Sequence, residues 1–143
     1  MTQRVPFVPG IDYRRIHGSH WWSRWKYTLI GTHEWQTSIH PPEDIRTKYV
    51  SLYTDGMLVE EHGYAIDGVT YGPDLECLMR AAFKHDGPCQ LIREGKLSPC
   101  FREAADDDFR RTSIEDGFDP GWALIFWMAL RRWAKLTLRR TKC

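Results

Sequence analysis

Residues Tyr64 to Arg111 read YAIDGVTYGPDLECLMRAAFKHDGPCQLIREGKLSPCFREAADDDFRR, and the fold turns on how this stretch is parsed. Pro73-Asp74 marks a helix start, because proline suits a first helical turn and an acid there meets the positive end of the dipole. Leu75, Leu78, Met79, Ala82 and His85 then recur at helical spacing and share one face. His85-Asp86 stands at the polar end of that stripe, and Gly87-Pro88 is expected to close the helix. Ser98 followed by Pro99 marks a second start, with serine as N-cap and proline at the first helical position. On this second helix Arg102, Asp106 and Phe109 fall on one stripe.

Two helices joined by a short connection usually lie antiparallel with their axes ~8–10 Å apart. That arrangement brings His85 toward Asp106. A histidine held by a carboxylate is the orienting pair of general-base catalysis, and Asp67 or Asp86 can add a metal ligand. Each candidate also has a purely structural role open to it. Asp67 before Gly68 suits a turn carboxylate bonding its own backbone. His85 and Asp106 suit a buried polar pair pinning two helices, and Arg102 an ion-pair partner one turn away. Asp107 and Asp108 are expected on a solvated face.

The set Asp67-Gly68, Pro73, His85-Asp86, Arg102 and Ala105-Asp106-Asp107-Asp108-Phe109 resembles a family of small uncharacterised proteins of tailed phages and prophages. Its members carry an Asp-Gly turn, a His-Asp helix and an Ala-Asp-x-x-Phe helix, and Cys89 stands where they usually have tyrosine. The resemblance runs from about Ile66 to Arg110 and implies a phage-encoded protein. More distantly, Tyr71-Gly72, His85, Asp86 and Asp106 are similar to the helix pair of secretory phospholipases of the A class. That similarity implies a His/Asp-dependent ester hydrolase, with calcium as its metal.

Before this stretch the sequence is strand-like. Trp25–Ile30 has strand character, and Thr37-Ser38-Ile39 is expected to continue it before His40-Pro41-Pro42 breaks the pattern. Lys48–Tyr53 is the clearest strand, Asp55-Gly56 a hairpin turn, and Met57–Glu61 the antiparallel return. Tyr64–Ile66 adds a short last strand. One small antiparallel sheet from Trp25 to Ile66 is therefore expected. Residues 1–24, with Pro6, Pro9, Gly10 and Gly18 among basic and aromatic residues, are expected to form an extended arm.

After the second helix, Asp119 caps a third, with Pro120 at its first position. Trp122–Leu130 (WALIFWMAL) is uninterruptedly apolar, but far short of the ~20 residues that span a bilayer. RRWAKLTLRRTKC follows, giving an amphipathic helix with a basic end. The fold class expected is α+β: a small antiparallel sheet followed by three helices near 74–86, 99–113 and 120–138. Residues 25–143 would form a single domain behind the arm.

The 143 residues carry a formal charge of +1, so global charge points to no polyanion partner, and no specific nucleic-acid motif is present. The four cysteines include no CxxC pair, which argues against structural zinc. A Cys89–Cys100 bridge would staple the connection between the first two helices. The start, MTQRVPFVPG, has no apolar signal core. Seven tryptophans are many for the length, and Trp21, Trp22 and Trp25 cluster. With Arg131, Arg132, Lys135, Arg139 and Arg140 they are the candidate interface residues. Two functions follow as expectations. The first is a virion-associated protein of tail or neck, found in the particle or in the host cytoplasm before assembly. It would dock on other virion proteins through its arm and last helix, with a membrane surface as the other candidate partner. The alternative is the calcium-assisted ester hydrolase, in which His85 and Asp106 are catalytic and Asp67 and Asp86 bind the metal.

Overall fold

The computed structural model describes residues 11–16, 27–68 and 75–137. The architecture is α+β, with the strands first and the helices after them. The strands are β1 (Tyr13–Arg15), β2 (Tyr27–Leu29), β3 (His33–Gln36), β4 (Ile45–Arg46), β5 (Val50–Leu52), β6 (Met57–Glu60) and β7 (Ala65–Ile66). Among the described residues they form two sheets, ordered β1-β2-β7 and β3-β6-β5-β4, with every pairing antiparallel.

The single expected sheet is thus divided, and two glycines mark the division. Gly31 (φ 76°) lies between β2 and β3, and Gly63 (φ 89°) between β6 and β7. Both adopt the left-handed region that only glycine enters cheaply, so the two neighbouring strands turn at the same level. The Gly31 amide donates to His62 Nδ1 (2.9 Å) and the Gly63 amide to the Leu29 carbonyl (3.0 Å). Thr37-Ser38-Ile39 does not continue a strand. The Thr37 hydroxyl donates to the Gly56 carbonyl (2.7 Å) and accepts from the Ile39 amide (3.2 Å), curling the chain after β3. In the segment expected as an arm, Tyr13–Arg15 pair with β2, Ile11 is buried, and Tyr13 packs edge-on against Tyr27 with centroids 5.9 Å apart. A strand of three residues carries too little alternation to stand out in sequence.

Helix α1 spans Glu76–Arg93, a 3₁₀ turn Pro99–Phe101, α2 Arg102–Glu115 and α3 Pro120–Thr137. The expected stop at Gly87-Pro88 does not occur, and α1 runs on to Arg93. Pro88 costs one main-chain hydrogen bond, but Cys89 and Leu91 beyond it are buried against the rest of the core. Burial of a large apolar side chain contributes about 1.5–3 kcal/mol, enough to carry the helix through. The helix ends instead at Gly95 (φ 72°), whose amide returns to the Ile92 carbonyl while that of Lys96 returns to Leu91. The expected start at Pro73-Asp74 lies outside the described residues.

Ser98 does cap, accepting from the Cys100 amide (3.3 Å), but the turn it opens is 3₁₀ and α2 proper begins at Arg102. Asp119 caps α3 through the Trp122 amide (3.0 Å). The main core joins Leu29, Ile39, Leu52, Leu58, Phe83 and Leu91 between sheets and α1. A smaller cluster of Leu78, Ala81 and Phe109, with Phe126 and Leu130 against it, lies between the helices. Cys89 is a free thiol, so the Cys89–Cys100 bridge does not form. Among the described residues no helix is long and apolar enough to cross a membrane.

Candidate functional site

His85 and Asp106 meet. The helical stripe of α1 carries His85 to the face turned toward α2, and His85 Nε2 lies 2.7 Å from Asp106 Oδ1. Asp106 is fully buried and His85 is 7% exposed. The same Oδ1 accepts from Arg102 Nε (2.9 Å), one turn earlier on α2. Oδ2 accepts from Arg131 Nη1 (2.9 Å) on α3, and Arg131 also pairs with Glu103 at 3.5 Å. One carboxylate therefore receives three cationic donors, one from each helix. The ring of Phe109 stands edge-on to the imidazole, centroids 5.6 Å apart.

The far side of His85 is also occupied. Nδ1 lies 3.6 Å from Asp86 Oδ1, and the Cys89 sulfur lies 3.6 Å from Nε2 and 3.9 Å from Nδ1. Burial alone would drive the proton off the imidazole. The interactions with Cys89, Asp106 and Asp86 outweigh it, so His85 holds its proton well above the ordinary histidine range. Asp106 moves the opposite way. Burial would raise it, but the bond and charge of His85 and the guanidinium of Arg102 hold it below the usual carboxylate range. A raised proton affinity keeps the imidazole protonated to higher pH, which works against a general base. The chemistry this arrangement performs well is charge-balanced fastening of three helices.

The other expected residues are distributed as follows. Asp86 lies beside the pair with its side chain 21% exposed, and Asp67 is exposed after β7. Among the described residues no group of three or more His, Cys, Asp or Glu can hold a metal ion. Tyr71-Gly72, like Trp21, Trp22, Trp25, Arg139 and Arg140, lies outside the described residues. Of the candidate interface residues on α3, Arg131 turns toward Asp106 with its side chain 18% exposed, while Arg132 and Lys135 are exposed. Asp108 is not on a solvated face: it is buried, accepts from the Ser38 amide (3.0 Å) and pairs with Arg111. Asp107 accepts from the Trp127 indole (2.7 Å).

Three contributors escaped the sequence. Arg131 could have been suspected only from its place at the inner edge of the α3 stripe. Cys89 is one turn after His85, a spacing that does predict contact. Glu60 gives no sequence signal at all, since it occupies an alternating position in a strand. It is fully buried, and its Oε2 accepts from the Trp35 indole (2.9 Å). No family model, curated protein or solved structure matches this chain.

Proposed function

We propose that this protein is a phage virion-associated docking subunit whose contact surface is the outer face of α3. The observation that carries the proposal is the exposure of large apolar side chains along one side of that helix. Trp122 (57%), Ile125 (52%), Met128 (58%), Trp133 and Leu136 are all exposed, and their spacing places them on a continuous stripe. Contiguous exposed apolar surface of this kind marks an interaction site. Arg132 lies within the stripe and Lys135 at its edge, and α3 contains no acidic residue. The partner is therefore another particle protein presenting an apolar groove with an acidic rim. The phage assignment rests on the resemblance of the Asp67–Phe109 motifs.

The buried knot around Asp106 supports the same function by fixing α3 on α1 and α2, so that the stripe is presented rigidly. The ester-hydrolase alternative is supported by the short His85–Asp106 bond alone, and the raised proton affinity of His85 weighs against it. The test is incorporation of an Ile125→Asp, Met128→Asp double variant into particles. Folded variant missing from purified particles that contain the wild-type chain stoichiometrically is the expected result. Full incorporation, together with ester hydrolysis that His85→Ala abolishes, would overturn the proposal in favour of the enzyme.

A further inference from the structure

The strand β3 is an edge of its sheet, and its outer side opens on a cavity of about 440 Å³. One wall of the cavity is Glu34 to Ser38, and the other is Arg80 and Lys84 on α1 with Asp108, Arg111 and Glu115 on α2. The directions of the β3 amides follow from two bonds. The Thr37 amide donates inward to the Gly56 carbonyl beside β6 (2.9 Å), whereas the Ser38 amide donates outward to Asp108 Oδ2 (3.0 Å). Main-chain polar groups alternate along a strand, so the amides and carbonyls of Glu34 and Gln36 point outward with the Ser38 amide. Asp108 already stands where the carbonyl of a neighbouring strand would stand. Among the described residues, the Glu34 and Gln36 positions before it lack that partner.

We infer that this cavity is a strand-addition site, in which an extended segment of a partner protein pairs with Glu34 and Gln36 as a further strand beside β3. Edge pairing of this type takes affinity from main-chain bonds and selectivity from alternate side chains. The selectivity can be read from the helical wall. A ligand residue opposite Trp35 projects from the same face as Trp35, the face turned toward α1. There Lys84 donates to the Thr112 hydroxyl (3.2 Å) and has no ion pair among the described residues, whereas Arg80 is taken by Asp116 and Glu115, and Arg111 by Asp108. Burial lowers the Lys84 ammonium from its ordinary range despite the charges of Asp108 and Glu115 nearby, and an incoming carboxylate would act with them to raise it. The segment that fits is therefore extended and carries an acidic side chain at its central inward position. This surface is separate from α3, so the inference stands or falls independently of the docking proposal.

The test uses the full chain and a short peptide, acetyl-Thr-Val-Glu-Val-Thr-amide, followed by amide hydrogen exchange. The expected result is protection of the Glu34 and Gln36 amides. Replacing the central glutamate by lysine, or Lys84 by Met, should weaken binding about tenfold, the worth of a charge-assisted hydrogen bond. A peptide N-methylated at alternate residues should give no protection. Absence of protection at Glu34 and Gln36, or equal binding of the N-methylated peptide, would overturn the inference. So would protection that grows with protein concentration without peptide, which would assign the edge to self-pairing.

Discussion

Glu60 Oε1 lies 2.6 Å from the point a β-carbon on Gly87 would occupy. The side chain of a central strand thus presses directly on the backbone of α1, at the turn where Pro88 has already removed a hydrogen bond. Glycine at 87 serves this close approach, and a Gly87→Ala change tests it. Alanine is intrinsically the better helix former by about 1 kcal/mol. Overpacking a filled site nevertheless costs roughly 1–3 kcal/mol. Urea unfolding should find Gly87→Ala destabilised by about 1 kcal/mol or more, and the loss should shrink in a Glu60→Ala background.

Glu60 also makes stability depend on pH. Burial, opposed by the bond from Trp35 and reinforced by the charge of Asp86, raises its carboxyl well above the usual range. The folded state therefore binds this proton more tightly than the unfolded chain, whose glutamate titrates near about 4.3. The contribution is fully present below that value and is lost as pH rises toward the folded pKa. Glu60→Gln keeps an acceptor for the Trp35 indole and removes the ionisation. Relative to wild type it should gain stability between pH 4 and pH 8, measured by denaturant midpoints at each pH. A constant difference across that window would show that Glu60 does not titrate on unfolding.

His85 acts in the same direction at higher pH. Its folded pKa is raised, so the stability it supplies is complete below the unfolded value of about 6.5 and declines as pH climbs through the folded value. Imidazole resonances followed by NMR should titrate well above that of a free histidine, and His85→Gln should flatten the stability profile on the alkaline side.

Asp106→Ala leaves three buried or half-buried cations around an empty position. Breaking a buried charge pair from one side costs about 3–5 kcal/mol, and thermal unfolding should show a loss of that order. Because the group is fully buried, added salt should change the loss little. Asp106→Asn, which keeps shape and acceptor oxygen, should recover part of it. Recovery to wild-type stability would mean that packing, and not charge, fastens the helices.

Outer-face changes on α3 should separate docking from folding. Ile125→Asp and Met128→Asp replace exposed side chains, and such surface changes stay within roughly 0.5 kcal/mol. A large drop in melting temperature for either would place these residues in the core instead of on a contact surface.

The sequence by itself determined the α+β class, the succession of strands and then three helices, and the capping roles of Ser98 and Asp119. These are local signals: a capping side chain acts on an amide two or three residues away, and helical spacing fixes which side chains share a face. The same spacing put His85 and Asp106 on facing stripes, and they do meet. What it could not determine was anything whose energy comes from distant residues. Pro88 should end a helix, yet burial of Cys89 and Leu91 carries α1 past it. Arg131 belongs by composition to a basic end, yet the buried carboxylate of Asp106 draws it inward. Asp108 sits among acids in a polar run, yet it is buried beneath the amide of Ser38, which stands on a different element. In each case long-range burial or charge pairing exceeds the local preference, and only the tertiary structure brings those partners together.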